Sequence, residues 1–355
     1  MTRREQRSIV YIIGPSFRTQ GGISSVLLIY HNHFRDPLNM RFIPSYSGNS
    51  RIADVVLFAV AFVRVFFLCI FEKQAIFHIH SSTYASFIRK SMLARCALIF
   101  RKKVILHIHG ADFDTFLDDI GSGWRKRVIN TLNEVDRVVV LSESWKEFFL
   151  AHVPAEKIRV IVNPSETYDP VYIERRNEVI KVLFIGRIGQ RKGAYDLIKA
   201  AGRIRSLNFA LDLVGDGEGD AIREIVHVDG LERIVHVYNW VSHVEIGGFY
   251  DKADILVLPS YSEGLPMSVL EGIGKGLPVI STNVGGIPEA VIDGHNGFII
   301  SPGDVNALAE KMSILIRDTE LREEMGRKSL KIAGSKFSVE ANYVLLKELY
   351  EGLKT

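Results

Sequence analysis

The chain has 355 residues, 47% of them hydrophobic and 24% charged, a length and balance that allow two ordinary cores and exclude a disordered or low-complexity polymer. Its two cysteines, Cys69 and Cys96, stand inside apolar stretches, which excludes a disulfide framework and a cysteine zinc site and leads us to expect a reducing, cytoplasmic setting. The net charge of +3 is uneven, with +9 on residues 1–165 and −6 on the remainder. The aromatic motifs of RNA-binding modules are missing, so an anionic membrane rather than nucleic acid is the expected partner of the basic half.

The first apolar run, Ser8 to Ile13, is too short for a secretion signal, ends in Gly14-Pro15 and reads as a buried strand. The pair Gly21-Gly22 follows in a glycine-broken loop. Val55 to Phe71 is 17 residues long and apolar except for Arg64. A central arginine costs roughly 2.5–3.5 kcal/mol in a bilayer, and the length sits at the lower limit for a span. A place between two strands of one parallel sheet calls instead for a crossover helix, so a core crossover helix is expected, compatible with partial exposure for one-sided membrane contact.

Further strands are predicted at Ala75–Ile79, Lys103–His107, Arg137–Leu141 and Ile158–Val162. The second half predicts strands at Ile180–Ile185, Phe209–Val214, Ile234–Tyr238, Ile255–Pro259, Pro278–Ser281 and Gly297–Ile300. Their alternation with helical patterns is the signature of βαβ units around parallel sheets. Asn163 to Pro170 is polar, holds two prolines and reads as an interdomain linker. The expected domains are therefore 1–165, 166–337 and a returning C-terminal helix over 338–355.

The stretch most informative for chemistry runs from Leu258 to Gly272, where Glu263-Gly264-Leu265-Pro266 precedes Glu271. It lies at the carboxyl end of a predicted strand, where open α/β sheets bind ligands. Pro266 suits the first turn of a helix, so the free N–H groups of that turn would face an anion, with a carboxylate on either side for sugar hydroxyls. Anion plus polyol describes a nucleotide sugar. Two carboxylates could also serve a hydrolase, but the helix start and the lack of a second acidic cluster argue against it.

Three glycine-bearing loops accompany this stretch. Gly186-Arg187-Ile-Gly-Gln-Arg191-Lys192-Gly193 places cations where they could neutralise a leaving diphosphate without a metal; its glycine spacing and the lack of a Ser or Thr after the lysine rule out a Walker A loop. Gly215-Asp-Gly-Glu-Gly219 is a weaker phosphate signal, and Gly285-Gly286 precede another short helix. In the first half, His78-Ile-His80-Ser81-Ser82 and His107-Ile-His109-Gly110 alternate histidines along strands. Four such rings could share a face and make a zinc site, although both runs end predicted parallel strands.

This ordered set, Gly-Arg…Lys-Gly, Gly-Asp-Gly, Glu-Gly-Leu-Pro…Glu-Gly and Gly-Gly-Ile-Pro-Glu, resembles glycosyltransferase family 4, the retaining group 1 family, over essentially the whole chain. The resemblance implies a GT-B fold, two Rossmann-like domains facing each other across a cleft. It implies that Arg187 and Lys192 bind donor phosphates and that Glu271 binds the ribose. Glu263 and the Gly264-Leu265-Pro266 backbone would hold the sugar and diphosphate, with Gly186 and Gly215 in the same donor site and the base near Trp240 and Val241.

Gly21 and Gly22 match the family's loop near diphosphate and acceptor. His109 would contact the transferred sugar and, with Ser81, Ser82 and Gly110, the acceptor, while His107 is structural. No metal and no cofactor are expected, the donor being a UDP- or GDP-sugar. The acceptor implied is a polyprenyl-diphosphate-linked oligosaccharide of a bacterial surface polysaccharide, met at the inner face of the plasma membrane. Two rivals are a UDP-sugar epimerase of the same fold and a catalytically silent partner subunit.

Overall fold

The computed structural model describes residues 8–166, 172 and 177–353. Two compact units emerge, one built from the chain up to Pro164 together with the segment from Val339 onward, the other from Ser165–Ser338. Of the linker expected from Asn163 to Pro170, residues 167–170 lie outside the described residues.

The first unit contains β1 (Ile9–Gly14), β2 (Met40–Pro44), β3 (Ala75–Ser81), β4 (Lys103–Ile108), β5 (Arg137–Val140) and β6 (Ile158–Val160). They form one parallel sheet in the order β2-β1-β3-β4-β5-β6. Every residue of β3 is buried, as expected for a strand covered by helices on both faces. The strand not foreseen is β2. It is a sheet edge and ends in Pro44, a residue tolerated there because an edge strand has no second ladder to feed.

The helix Arg51–Phe71 follows β2 and crosses to β3, starting on the side chain of Ser50, which accepts from the N–H of Ala53 at 3.2 Å. It is the expected crossover helix, in the partly exposed form that the sequence reading allows. Only Ala61, Val65 and Cys69 are buried, while Ile52, Val55 and Phe71 are 79%, 69% and 74% exposed. The cause is its length. A β-α-β crossover needs only one stripe of a helix against the sheet, and that stripe is supplied by Ala61, Val65 and Cys69 with Phe58, Phe62 and Leu68 partly buried beside them, so the apolar residues on the opposite side face outward.

The C-terminal helix Val339–Glu351 completes the first unit. It is held by Asn342, whose side-chain amide donates to the carbonyl of Val162 at 2.5 Å, and by Tyr350, whose hydroxyl lies 2.7 Å from Nδ1 of His78.

The second unit holds β7 (Ile180–Ile185), β8 (Phe209–Val214), β9 (Val235–Tyr238), β10 (Ile255–Leu258), β11 (Val279–Thr282) and β12 (Gly297–Ile300). This sheet is also parallel, ordered β12-β11-β10-β7-β8-β9. The chain leaves β7 toward β8 and later returns to β10 on the other side. The point between β7 and β10 is thus a topological switch, where helices depart to opposite faces and leave a crevice at the carboxyl ends of the strands. Each unit is therefore a doubly wound Rossmann-like sheet, and the two together are the fold class expected.

Candidate active site

The sheet order of the second unit aligns the carboxyl-end loops of β11, β10, β7, β8 and β9 side by side. Those loops carry Gly285 and Gly286; Glu263 to Pro266; Gly186 to Lys192; Gly215; and Trp240 with Val241. Residues up to 100 positions apart in sequence, Gly186 and Gly286, thus share one edge.

Pro266 differs from the expectation. It is the N-cap, in extended conformation, and the helix runs Met267–Gly274. Its φ of −71° with ψ of 127° keeps Leu265 and Pro266 in the loop, and the amides of Val269 and Leu270 close onto the Pro266 carbonyl at 3.1 and 3.3 Å. The helix dipole still presents its positive end at the strand edge, and Glu271 falls in the second turn.

The loops are welded by close approach of backbone. Gly285 has φ +54°, and a Cβ there would stand 1.9 Å from the carbonyl oxygen of Glu263. The next amide, of Gly286, donates to the Gly264 carbonyl at 2.6 Å. Gly193, with φ +72°, plays the same part for the basic loop, since its Cβ would lie 2.0 Å from the carbonyl oxygen of Pro259. Only glycine adopts this backbone cheaply and admits such contact. Tyr261 N–H donates to the Arg191 carbonyl at 2.8 Å, and the Arg191 guanidinium donates to the Ser262 carbonyl at 3.0 Å.

Within this frame Lys192 donates to Oε1 of Glu263, the same oxygen that accepts the Ser260 hydroxyl at 2.9 Å. The ion pair is shielded, with side chains 13% and 7% exposed, so its charges act through a lower dielectric than water. Arg187 is exposed and, among the described residues, makes no ion pair. Glu271 is buried and receives the hydroxyl of Tyr250 at 2.8 Å on Oε2. Burial and then the Glu271 charge hold the Tyr250 phenol well above its ordinary range, so it stays a donor. Sequence reasoning missed Tyr250 and Ser260; a lone Tyr in a helix 21 residues upstream of Glu271 gives no local signal.

In the first unit, Gly21 (φ +131°) caps the helix Gly22–Ile29 after β1, and Ser82, His109 and Gly110 follow the neighbouring strands β3 and β4. Ser81 is fully buried at the end of β3, its hydroxyl donating to the Ser82 carbonyl at 2.8 Å. Below the glycine loop lies Lys90, 4% exposed, which donates to the Ser45 hydroxyl, itself a donor to the Gly14 carbonyl at 2.9 Å. Burial, then the charge of Arg89, lowers the Lys90 amine to about 7.

The four histidines form two layers. His78 Nε2 lies 3.1 Å from His107 Nδ1 with rings 10° apart in plane, and His80 Nδ1 lies 2.9 Å from His109 Nε2. The layers stack, with centroids 4.5 Å apart for His78 on His80 and 4.3 Å for His107 on His109. Burial, followed for His78 by the charge of His109, lowers His78 to about 3; burial lowers His109 to about 3. His80 and His107 are held well below the usual range by the same burial. Nitrogens of His78, His80 and His107 come within 4.8 Å of one another. Lone pairs lie in the ring planes, however, and stacked planes send them along parallel directions. That geometry suits hydrogen bonds between neighbours better than convergence on one ion.

Comparison with known proteins agrees with this architecture. Residues 26–167 match the sequence pattern described as Glycosyltransferase Family 4, and residues 171–331 match that of Glycosyl transferases group 1. The chain belongs to the family 4, group 1 glycosyltransferases. Among its relatives, an uncharacterized glycosyltransferase of Methanocaldococcus jannaschii is 37% identical over 172 residues, 48% of each chain. The capsular polysaccharide biosynthesis glycosyltransferase CapM of Staphylococcus aureus is 31% identical over 187 residues, 50% of this chain and 48% of CapM. The chain thus spans about half the length of these curated relatives. Among solved structures, HepE of Anabaena in complex with UDP superposes with a TM-score of 0.76 at 19% identity, over 97% of this chain and 100% of HepE, a likeness of fold.

Proposed function

We propose that the protein is a retaining, metal-independent glycosyltransferase that moves a sugar from a UDP- or GDP-sugar to a hydroxyl of a lipid-linked oligosaccharide in bacterial surface polysaccharide synthesis. The observation that carries the donor half is the shielded Lys192–Glu263 pair at the switch point, between the exposed Arg187 and a helix N-terminus. A diphosphate arriving at Lys192 takes over the ammonium and frees the Glu263 carboxylate for sugar hydroxyls. Arg187, Lys192 and the helix dipole then stabilise the charge that builds on the leaving diphosphate, the service a metal gives elsewhere. Glu271, held by Tyr250, accepts from the ribose, and the base lies by Trp240 and Val241. The acceptor hydroxyl attacks on the side from which the diphosphate leaves, so configuration is kept; His109, Gly21, Gly22, Ser82 and Gly110 serve the acceptor side.

The acceptor class rests on the exposed apolar face of the helix Arg51–Phe71, among the described residues the one helix long and apolar enough to cross a membrane. Arg64, Lys73, Arg95, Arg101 and Lys102 belong to the same helix and to the chain on either side of β3 and the helix after it. Apolar residues with basic neighbours fit a peripheral seat on an anionic leaflet, from the cytoplasmic side.

Thermal shift with UDP-, GDP- and ADP-sugars in EDTA tests the donor half: a selective shift abolished by Arg187→Ala, Lys192→Ala and Glu271→Ala is expected, and no shift with any of them overturns it. Flotation with anionic vesicles at low salt tests the membrane half, which fails if the protein stays at the bottom of the gradient.

A further inference from the structure

We propose that Tyr350, on the C-terminal helix, is a positioning residue for His109: it fixes the direction of hydrogen bonding through the histidine stack so that His109 presents a bare Nδ1 to a substrate hydroxyl. The inference rests on the reading of His109 as a substrate contact.

A neutral imidazole has one donor and one acceptor nitrogen, so each hydrogen-bonded pair must choose a sense. His78, His80 and His107 are fully buried and neutral. Tyr350 is buried too, and it meets His78 Nδ1 at 2.7 Å. If its hydroxyl donates, His78 carries its hydrogen on Nε2 and donates to His107 Nδ1, which puts the His107 hydrogen on Nε2. One buried group is then left over, the His107 Nε2–H, and among the described residues that nitrogen has no hydrogen-bond partner. The opposite sense leaves two, the Tyr350 hydroxyl hydrogen and a bare His107 Nε2. Since a buried polar group left without a hydrogen bond costs free energy, the sense that starts at Tyr350, leaving one such group rather than two, is favoured.

The second layer follows from the first. Two stacked dipoles in a low-dielectric interior favour opposite senses. The first layer donates from β3 to β4, so the second donates from β4 to β3, from His109 Nε2–H to His80 Nδ1. His80 Nε2 is then the leftover group, again a nitrogen with no hydrogen-bond partner among the described residues. His109 is left with Nδ1 as an acceptor, its ring plane clamped by the His107 stack and the His80 bond.

Long-range proton–nitrogen correlation spectra of the 15N-histidine-labelled protein read the tautomers directly. The expected wild-type result is Nε2–H on His78, His107 and His109; a Nδ1–H form at any of the three overturns the proposal without recourse to a variant. Tyr350→Phe, with folding checked by its melting curve, is expected to mix the tautomers of His78 and His107. It should also lower kcat about tenfold, with the donor KM within about twofold, on UDP-glucose or GDP-mannose as the thermal-shift panel selects; tenfold corresponds to about 1.4 kcal/mol in the barrier. A fall in kcat with unchanged tautomers overturns the positioning role. Changed tautomers with unchanged kcat also overturn it, by removing His109 from the substrate while leaving the Tyr350 network and the donor site intact.

Discussion

Tyr250 and Glu271 stand 21 residues apart in sequence, yet the phenol hydrogen of the first is given to Oε2 of the second at 2.8 Å inside the second unit. That bond is one of the contacts that aim the buried Glu271 carboxylate. Tyr250→Phe is expected to raise the donor KM about five- to tenfold with kcat nearly unchanged, and to remove about 1 kcal/mol of stability, the net worth of one hydrogen bond. Steady-state kinetics beside urea melts check it; an unchanged KM would show that Glu271 needs no such support.

Gly285→Ala brings a methyl group to 1.9 Å from the Glu263 carbonyl at a backbone φ of +54°. Strain of this kind costs on the order of 1–3 kcal/mol before the clash is counted. The expected outcome is a clear drop in melting temperature together with loss of the nucleotide-sugar shift. Retention of both would mean that the Glu263 loop can move aside freely.

Lys90 offers a test with the opposite sign. Its amine ionises at about 7 in the fold and near 10.5 when unfolded, so between these values the unfolded chain holds the extra proton and stability rises with pH. Below pH 7 the fold carries a buried charge on which Arg89, and no carboxylate, acts. Lys90→Met should therefore stabilise by on the order of 2 kcal/mol below pH 7, the gain fading toward pH 10. Melts across that range decide it, and a destabilised variant at pH 6 would instead give the charge a structural use.

The histidine stack sets an acid limit. His78 and His109 are lowered to about 3 against 6.5 unfolded. Below 6.5 the unfolded chain therefore takes up protons that the fold refuses, and stability is lost as pH falls toward 3. Each histidine contributes about 1.4 kcal/mol per pH unit in that window. A melting temperature that drops steeply between pH 6.5 and 5, and less so in His78→Gln, is the expected result; a flat profile in the wild type contradicts it.

The loops that carry the candidate residues are legible, and they do share one sheet edge, because loops at strand ends carry their own signals. Glycine, proline and paired charges within a dozen residues report a turn, a helix start and a cluster of charge at once, as in Glu263 to Pro266 and Arg187 to Lys192. Partners brought by folding alone left no such trace. Tyr250 reads as a core aromatic, Ser260 as a loop residue, and Tyr350 lies 272 residues from His78. The crossover role of Arg51–Phe71 is legible in its place between two strands, whereas the extent of its outward face is not, because an apolar run reports hydrophobicity but not which side has a neighbour. The edge strand Met40–Pro44 was too short and too interrupted to register.

Because the first unit is finished by Val339–Glu351, its assembly does not follow the order in which the ribosome delivers the chain. The whole of Ser165–Ser338 is synthesised before the helix bearing Asn342 and Tyr350 emerges. Until then the amino-terminal sheet lacks the helix whose Tyr350 meets His78. A truncation between Ser165 and Ser338 would leave the first unit without that helix for good.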